Sequence, residues 1–503
     1  MGAANNMSSN YQNFIDGKWV DALGGETFEN RNPADWEEVI GVFPKSTKED
    51  VDRAVESAVA AQKEWRAVPI PVRGAIMKKA ADLLVERKEA YANDMTREMG
   101  KILEETRGDI QEAIDTGYYA AGESRRFFGK TVPSELPNKA AFTTHLPIGV
   151  VGVICPWNFP MAIPSWKIFP ALLSGNAVVF KPSSDVPLSG HNFVQALLDA
   201  GVPPKVLHLT HGTGRSVGSP IIEHPGIRAL SFTGSTTVGK MLAKSATDSL
   251  KRVSLELGGK NAQIVWEDAN LELALEGVLW GAYGTTGQRC TATSRLILHE
   301  KIHDEFVAML KEAAENLVVG NGLEPETQVG AVINEGQLKT DDDYVKIGLE
   351  EGATLVTGGK ILDEGPHSRG WFFTPTVFTD VTPTMRIAVE EIFGPILSVL
   401  KVSSWEEAVE VHNGTDYGLS SALYTKDLNL AFHAVEDLEA GITYLNAPTI
   451  GAECHLPFGG VKETGNGHRE GGWATYEFFT ETKTVYIDFS DALQRAQIDT
   501  VEA

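Results

Sequence analysis

Hydrophobic and polar positions in the first part of the chain recur with the period of a helix. In residues 49–65 the apolar side chains return at intervals of three and four, at Val51, Ala54, Val55, Ala58 and Val59. This spacing predicts an amphipathic helix with one buried face, and a similar pattern continues to about residue 126. Residues 127–147 lose the period and contain Pro133 and Pro137, which indicates an extended segment.

From residue 148 onward the pattern changes to short apolar runs, many of them β-branched, separated by helical segments. The first series lies at 150–154, 177–180, 206–209, 229–232 and 253–257. The second series lies at 263–266, 295–299, 354–357, 397–402 and 422–425. Regular alternation of strand and helix is typical of parallel sheets covered on both faces. We therefore predict an α/β protein with two sheets, followed by a lone strand at 482–489.

The length of 503 residues exceeds what one hydrophobic core usually supports, so more than one domain is expected. The pattern predicts a first α/β domain from residues 11–126 and 148–257, and a second from residues 258–476. Residues 127–147 and 477–490 belong to neither domain, and we interpret them as an extended arm and the final strand. Because both would expose sheet edges, we expect something to cover them.

The net charge, the longest apolar run and the first residues limit the partners and the location that we expect for this protein. The chain has 44 Lys and Arg against 68 Asp and Glu, a formal net charge of −24, and lacks a basic tract. This balance argues against nucleic acid or an anionic membrane surface as a partner. The apolar run at 148–155 is far shorter than the roughly 20 residues that span a bilayer. The first residues lack the basic and apolar regions of a signal peptide, so we expect a cytoplasmic protein.

The three cysteines, Cys155, Cys290 and Cys454, are too few and too far apart for a disulfide framework or a Cys-x-x-Cys metal site. No metal is therefore expected. Cys290 follows a flexible polar segment at 283–287 and adjoins Arg289, whose charge is expected to favour the nucleophilic thiolate. The alternative for any cysteine is a small core residue, and Cys155 and Cys454 are expected to follow it.

Two further polar residues lie at positions where a polar side chain needs a hydrogen-bond partner or a function. Glu256 interrupts an apolar strand, and its burial would raise the carboxyl pKa toward the range useful to a general base. A salt-bridged glutamate at the strand end is the alternative. Asn158 follows the first strand of the parallel series, where α/β folds place ligands, and its amide could donate a hydrogen bond to an oxyanion. An Asx turn before Pro160 is the alternative.

The segment at 231–241 follows a strand and opens a helix, and it nearly spells a phosphate-binding P-loop. Gly234, Gly239 and Lys240 match that motif, but Met241 stands where the loop needs a hydroxyl group for Mg²⁺. The G-x-G-x-x-G dinucleotide fingerprint is also absent. What remains is a turn at a helix N-terminus, which can hold a phosphate or can be a plain connection.

Together and in this order, the motifs resemble those of the NAD(P)⁺-dependent aldehyde dehydrogenases. The motifs that carry the resemblance are PWNFP at 156–160, KP at 181–182, FTGS at 232–235, ELGGKN at 256–261, GQRC at 287–290, EIFGP at 391–395 and PFGG at 457–460. The resemblance extends from about residue 13 to the last strand. It implies a Rossmann-like cofactor domain, an α/β catalytic domain and a small β oligomerisation arm. It also implies a homodimer or homotetramer in which the arm of one chain pairs with the sheet of another.

The resemblance implies a role for each site residue. Cys290 attacks the aldehyde, the Asn158 amide and the Cys290 N–H hold the oxyanion, and Glu256 activates water to release the acid. Lys167 and Glu470 support proton movement around that base, although a one-residue insertion at 465–470 departs from the family. The implied NAD(P) contacts are Ile154, Trp157, Lys181, Ser184, Gly234, Ser235, Leu257, Glu391 and Phe393. The implied substrate contacts are Phe159, Ile163, Trp166, Arg289 and Phe458.

Two local features bear on specificity. Ser184 stands where many NAD-dependent members have a glutamate that repels a 2′-phosphate, so NADP should be accepted as well as NAD. The text at 288–293 and 465–469 looks most like the 2,5-dioxopentanoate (α-ketoglutarate semialdehyde) dehydrogenases, and Arg289 could meet a carboxylate tail. An outward-facing Arg289 paired with an acidic neighbour is the alternative. The rival functions are a CoA-acylating dehydrogenase, against which Glu256 argues, and a P-loop-like NTPase.

Overall fold

The computed structural model describes residues 9–127 and 129–498, so the expectation about a signal peptide at the start of the chain lies outside the described residues. The first elements are strands β1 (Ser9–Asn10), β2 (Asn13–Ile15), β3 (Lys18–Val20), β4 (Thr27–Asn32) and β5 (Asp35–Pro44), then helices α1 (Lys48–Ala67), α2 (Ile70–Met99) and α3 (Leu103–Glu123). Helix α1 is the amphipathic helix predicted at 49–65. It begins at a capping box between Thr47 and Asp50, and its predicted apolar face is buried except for Val59.

The first large sheet carries the parallel series predicted from residue 148. Its elements are β8 (Val150–Ile154), α4 (Ala162–Leu173), β9 (Ala177–Lys181), α5 (Pro187–Ala200), β10 (Leu207–Leu209), α6 (Ser219–Glu223), β11 (Ala229–Thr233), α7 (Thr236–Thr247) and β12 (Arg252–Glu256). The strand order is β12-β11-β8-β9-β10-β2-β3, with β2 and β3 added antiparallel. The order reverses between β8 and β11, and such a switch point is where open α/β sheets bind ligands.

The second large sheet begins at β13 (Asn261–Val265). Its further elements are α8 (Leu271–Tyr283), β14 (Thr293–His299), α9 (His303–Glu315), α10 (Glu335–Glu350), β15 (Thr354–Thr357), β16 (Ile361–Leu362), β17 (Phe372–Phe373), β18 (Thr376–Thr379), α11 (Arg386–Val389), β19 (Ile396–Val402), α12 (Trp405–Asn413), β20 (Tyr417–Gly418), β21 (Ser420–Tyr424), α13 (Leu428–Asp437) and β22 (Ile442–Leu445). The order is β15-β18-β19-β14-β13-β21-β22. All neighbours are parallel except β15 and β18, so the strand predicted at 354–357 runs antiparallel at the sheet edge.

The remaining elements are β6 (Thr131–Pro133), β7 (Lys139–Pro147), β23 (Val461–Lys462), α14 (Ala474–Phe478) and β24 (Thr480–Asp488). Strand β24 pairs antiparallel with β7 along its whole length, and β6 covers the other edge of β7. The expectation of a lone final strand was therefore wrong: the arm and the strand pair within one chain, because β7 offers a matching free edge. In this three-stranded sheet the outer edges of β24 and of β6 have no strand beside them among the described residues.

The α/β fold class predicted from the alternation is confirmed by these two sheets. The first sheet and the helices over it form one continuous apolar core, while the second sheet has separate cores on its two faces. Within the described ranges no helix is both long and apolar enough to cross a membrane. Residues at the carboxyl ends of β8, β11 and β12 line one cleft together with Cys290 and Glu391, and the candidate site lies there.

Candidate active site

The turn after β8 carries Asn158 and is held from beneath by a buried ion pair. Lys101 Nζ donates to the Asn158 carbonyl oxygen at 3.0 Å and to Asp109 Oδ2 at 2.8 Å. The other oxygen of Asp109 accepts from the Ala162 N–H at 2.7 Å, at the start of α4. The Asn158 side chain itself is buried, and its Oδ1 has no hydrogen-bond partner in the protein. The carboxamide oxygen of Asn158 therefore does not form an Asx turn.

Cys290 lies on a strained loop between α8 and β14. Thr285 and Thr286 adopt left-handed backbone with φ of 53° and 58°, and Gly287 follows with φ of 72°. A Cβ atom on Gly287 would lie 2.2 Å from the Gly394 carbonyl oxygen, so only glycine fits there. Asn261 Nδ2 donates to the Cys290 carbonyl at 2.7 Å. The loop is thus fixed on both sides of the thiol.

The thiol of Cys290 does not gain its reactivity from Arg289. Burial, and then the nearby Glu256 and Glu391 carboxyl groups, raise the pKa of Cys290 above its ordinary value. The guanidinium of Arg289 turns instead to Glu105, at 3.3 Å, and to Thr285 Oγ1, at 2.9 Å. The expectation that Arg289 favours the thiolate was wrong, because Arg289 pairs with Glu105 while burial and the carboxyl groups around the thiol raise its pKa.

Glu256 ends β12 as a buried carboxyl group, and its Oε1 has no partner. Burial and the neighbouring Glu470 raise the pKa of Glu256 well above its ordinary value, while Lys167 acts in the opposite direction. A Cβ atom on Gly459 would lie 3.0 Å from Glu256 Oε2, so this glycine leaves room for the carboxyl group. The alternative of a salt-bridged glutamate at the strand end is wrong for Glu256, since the ion pair forms at Glu470 instead.

Glu470 forms a buried ion pair with Lys167, whose Nζ also donates to Ser231 Oγ at 3.1 Å. Its backbone is paired to Phe458 by reciprocal hydrogen bonds of 2.6 and 2.7 Å. The preceding loop contacts β12 through Asn466, which donates to the Val253 carbonyl at 2.7 Å. The loop at 465–470 thus packs against β12, and Glu470 lies close enough to Glu256 to raise the pKa of its carboxyl group.

A cleft of about 510 Å³ opens at the switch point of the first sheet. Its wall contains seven of the nine predicted cofactor residues, together with Asn158 and Cys290: these seven are Ile154, Trp157, Gly234, Ser235, Leu257, Glu391 and Phe393. Lys181 and Ser184 lie outside this wall. Lys181 is buried beside Ile154 in the strand register, its Nζ donates to the Pro182 carbonyl, and burial lowers its pKa to about 8. Ser184 lies in the turn that precedes α5.

The far end of this cleft is shaped by Glu391 and Phe393. Glu391 accepts from the Gly259 N–H at 2.9 Å, and burial raises its pKa to about 7. A Cβ atom on Gly258 would lie 2.3 Å from the Glu391 carboxylate, so the close approach requires glycine. Phe393 has a left-handed φ of 64°, and its ring stands edge-on to Trp157 at 5.3 Å. An extended dinucleotide fits this cleft, given its volume, the N-terminus of α7 in its wall and the close packing around Glu391 and Phe393.

The near P-loop at Gly234 does not have the geometry of a nucleotide-triphosphate site. The Gly234 N–H donates to the Glu256 carbonyl at 3.1 Å, so this amide is already bound within the sheet. Lys240 points away from the turn and pairs with Glu463 at 2.5 Å. With Met241 exposed on α7, the turn supplies neither the lysine nor the hydroxyl group that such a site needs.

The model of the aldehyde dehydrogenase family matches residues 19–485 of the chain. This chain belongs to the aldehyde dehydrogenase family. It is 44% identical to the α-ketoglutarate semialdehyde dehydrogenase of Haloferax volcanii, over 96% of this chain and 100% of that one. It is 40% identical to the α-ketoglutaric semialdehyde dehydrogenase of Bacillus subtilis, over 95% and 98% of the two chains.

Solved structures agree with this membership. The NAD-dependent aldehyde dehydrogenase of Sinorhizobium meliloti superposes with a TM-score of 0.94 at 35% identity, over 98% of this chain and 99% of that one. An NAD⁺ complex of the Staphylococcus aureus betaine aldehyde dehydrogenase gives 0.94 at 34% identity, over 96% and 95%. The chain is therefore an NAD(P)-dependent enzyme that oxidises an aldehyde to the acid. The NTPase alternative finds no support.

A second cavity, of about 110 Å³, adjoins the cleft at the switch point, and we name the two the substrate cavity and the cofactor cleft after the residues predicted to line them. Cys290, Glu256 and Glu470 line the substrate cavity, together with all five predicted substrate residues: Phe159, Ile163, Trp166, Arg289 and Phe458. The rings of Trp166 and Phe458 pack at 4.8 Å. Arg289 lines the cavity and pairs with an acidic neighbour, but it does not face outward as the alternative expected, and its contact with a carboxylate tail stays a prediction. Cys155 is buried, as expected, whereas Cys454 is half-buried and lies near Glu112.

Sequence reasoning missed an acidic stripe on α3 that supports the site. Glu105, Asp109 and Glu112 recur at i, i+4 and i+7, so one face of the helix carries three carboxyl groups, of which the first two are buried and Glu112 is half-buried. Glu105 holds Arg289, Asp109 holds Lys101, and Glu112 lines the substrate cavity. The signal was present, since charged residues on the buried face of a helix need partners.

Proposed function

We propose that this aldehyde dehydrogenase oxidises a semialdehyde that carries a carboxylate, of the 2,5-dioxopentanoate class, and that Cys290 is its nucleophile. The observation that supports the proposal most is that Cys290 lines both the substrate cavity and the cofactor cleft. The thiol thus lies between the two reactants. The substrate class rests on the names of the Haloferax volcanii and Bacillus subtilis relatives and on Arg289 in the cavity wall.

In the proposed acylation step, the Cys290 thiolate adds to the aldehyde carbon and forms a thiohemiacetal. The Asn158 amide and the Cys290 N–H hold the oxyanion, since preorganised donors at developing charge lower such barriers. NAD(P)⁺ held in the cleft would supply the hydride acceptor, and loss of hydride from this carbon would leave the acyl group on Cys290 as a thioester. Glu391, Phe393, Trp157, Ser235 and Leu257 would orient the dinucleotide, with Lys181 and Ser184 toward its adenosine ribose.

In the proposed deacylation step, Glu256 takes a proton from water, and the resulting hydroxide adds to the thioester carbonyl. The carbon–sulfur bond breaks, the acid leaves, and the thiolate that began the cycle is restored. The Lys167–Glu470 pair would hold a charge beside the base and accept its proton through solvent. Because Glu256 is present and unpaired, water and not CoA is the proposed acyl acceptor, and the product is the free acid.

Three finer properties belong to the same proposal. With Ser184 in place of a glutamate, NADP should serve as well as NAD. The free edge of β24 carries exposed Tyr486 and Ile487, which supports a homodimer or homotetramer joined there. The three unbridged cysteines are typical of a reducing compartment, which supports a cytoplasmic location.

An aldehyde panel with both cofactors tests the proposal. We expect formation of reduced nicotinamide with 2,5-dioxopentanoate at a higher kcat/KM than with pentanal, and release of free acid whether or not CoA is present. Cys290→Ala should abolish this activity and keep cofactor binding, while Cys454→Ala serves as the matched control and retains the chemical step. Activity in Cys290→Ala with none in Cys454→Ala would refute the nucleophile. A thioester product would refute hydrolysis.

A further inference from the structure

The substrate cavity contains one carboxyl group for which the proposed reaction has no use. Glu112 projects from the middle of α3 and lines the same cavity as Cys290 and Arg289. Its Oε1 is shut off from solvent and has no hydrogen-bond partner. An unpaired buried carboxylate is costly, so this group either stays protonated or meets a ligand.

The groups that face Glu112 come from three directions. Asp109 and Asp115 lie on its own helix. Lys101 lies just before α3, and Arg289 lies in the loop after α8. From β22 and the loop beyond it come Tyr444 and Cys454, each of which has its own pKa raised partly by Glu112. Burial and then Asp109 raise the pKa of Glu112 to about 8, against the opposing effect of the two cations. The carboxyl group is thus mostly protonated at neutral pH.

Arg289 is the positively charged residue in the wall of this cavity, and its side chain is held by several contacts. Its guanidinium lies 5.2 Å from the ring of Phe159 and 5.0 Å from the ring of Trp280, and Glu105 fixes its edge. Glu105 offsets part of its charge. A substrate carboxylate bound here would therefore meet a cation whose charge is partly offset. A neutral hydrogen-bond donor in the same cavity would strengthen the binding of that carboxylate.

We propose that Glu112, in its protonated form, is a specificity-determining residue that donates a hydrogen bond to the distal carboxylate of the semialdehyde. Arg289 supplies the charge and Glu112 the additional donor, so the two side chains form the carboxylate-binding end of the cavity. The inference rests on the proposed substrate class. A site with Glu112 should depend on pH in a way that a cation alone would not. When Glu112 ionises, the hydrogen-bond donor becomes a negative charge that repels the substrate carboxylate. The preference for a carboxylate-bearing substrate should therefore weaken as the pH rises.

The test compares two aldehydes of equal length, 5-oxopentanoate and pentanal, between pH 6.5 and 9.5. The ratio of their kcat/KM values cancels the titration of Cys290 and Glu256, which both substrates share. In the parent enzyme we expect the ratio to favour 5-oxopentanoate and to fall above about pH 8. Glu112→Gln keeps a neutral donor, so its ratio should stay near the parent value at pH 7 and lose the decline. Glu112→Leu should lower the ratio at pH 7 by about 10- to 100-fold, the usual effect of losing a bond to a charged group.

Glu104→Gln is the matched control, since this glutamate is exposed on the same helix and its loss should leave the profile unchanged. A parent enzyme without preference for 5-oxopentanoate would overturn the proposed substrate class and this inference together. A preference that persists unchanged in Glu112→Gln and Glu112→Leu, decline included, would overturn only the inference. A preference for 4-aminobutanal that Glu112→Gln abolishes would also overturn it, because Glu112 would then be ionised and bind a cation.

Discussion

Glu256 combines two properties that a base for deacylation needs, a buried position beside Cys290 and an oxygen without a partner. Glu256→Gln should stop turnover after one acylation, so that a single burst of reduced cofactor appears without a steady rate. The loss of a general base typically costs about 10²- to 10⁴-fold. Stopped-flow absorbance measures both phases, with Glu477→Gln on the surface as the control. An unchanged steady rate would assign the base to another residue, with Glu470 first.

The same carboxyl group predicts the direction of a pH effect. Because burial and Glu470 raise the pKa of Glu256, its ionised and active form becomes more populated as the pH rises through that raised value. The steady rate on pentanal should therefore increase from neutral to alkaline pH. In Glu256→Gln the residual steady rate should lose this rise. A profile of the same shape in both proteins would mean that another group limits deacylation.

Ser184 bears on the choice between the two cofactors. Ser184→Glu should shift the ratio of kcat/KM values toward NAD, because the new carboxylate would face the 2′-phosphate. Two like charges at 4 Å repel by about 4 kcal/mol at an effective dielectric constant near 20. The ribose hydroxyls of NAD would instead donate to that carboxylate. Kinetics with each cofactor at fixed aldehyde measure the shift, and Ser183→Glu is the neighbouring control. A ratio that does not move would show that Ser184 does not face the ribose.

At the scale of elements, helix α3 supports the active site from below. Lys101, just before this helix, joins Asp109 to the turn that carries Asn158. Lys101→Met should leave Asp109 as an uncompensated buried charge, which typically costs about 3–5 kcal/mol of stability. It should also lower the burst rate more than it raises the KM for the cofactor, since the Asn158 turn loses its anchor.

Urea unfolding and burst kinetics measure these two effects, and Lys78→Met, an exposed lysine on α2, is the control. Lys101→Arg should recover part of the burst rate, because it restores a cation to Asp109. A variant that loses stability while its burst rate stays at the parent value would show that Lys101 supports the fold alone and does not position Asn158.

At the scale of the whole molecule, assembly depends on the sheet of β24, β7 and β6. A chain that ends at Phe479 lacks β24 and leaves the long edge of β7 bare, so we expect a monomer or aggregate by light scattering. A chain that ends at Phe489 keeps β24 and its last hydrogen bond to Asn138, and it should retain the size of the parent assembly. A parent-sized assembly of the shorter chain would refute a contact through β24.

The sequence by itself determined the local structure and indicated the candidate reactive groups. The 3.6-residue period gave α1 and the apolar β-branched runs gave both parallel sheets, because side chains separated by a few residues decide these patterns. Motifs around Asn158, Glu256 and Cys290 marked the site, since each needs a residue type that a plain core would not keep.

Only the tertiary structure decided which distant segments meet. It paired β24 with β7, turned β15 antiparallel, and gave the charge of Arg289 to Glu105 and not to the thiol. It also brought Glu112 to the substrate cavity, although the acidic stripe of α3 is visible in the sequence. Burial and neighbouring charge are set by packing between elements that lie far apart in the chain, and so the pKa and the partner of a carboxyl group cannot be derived from local order.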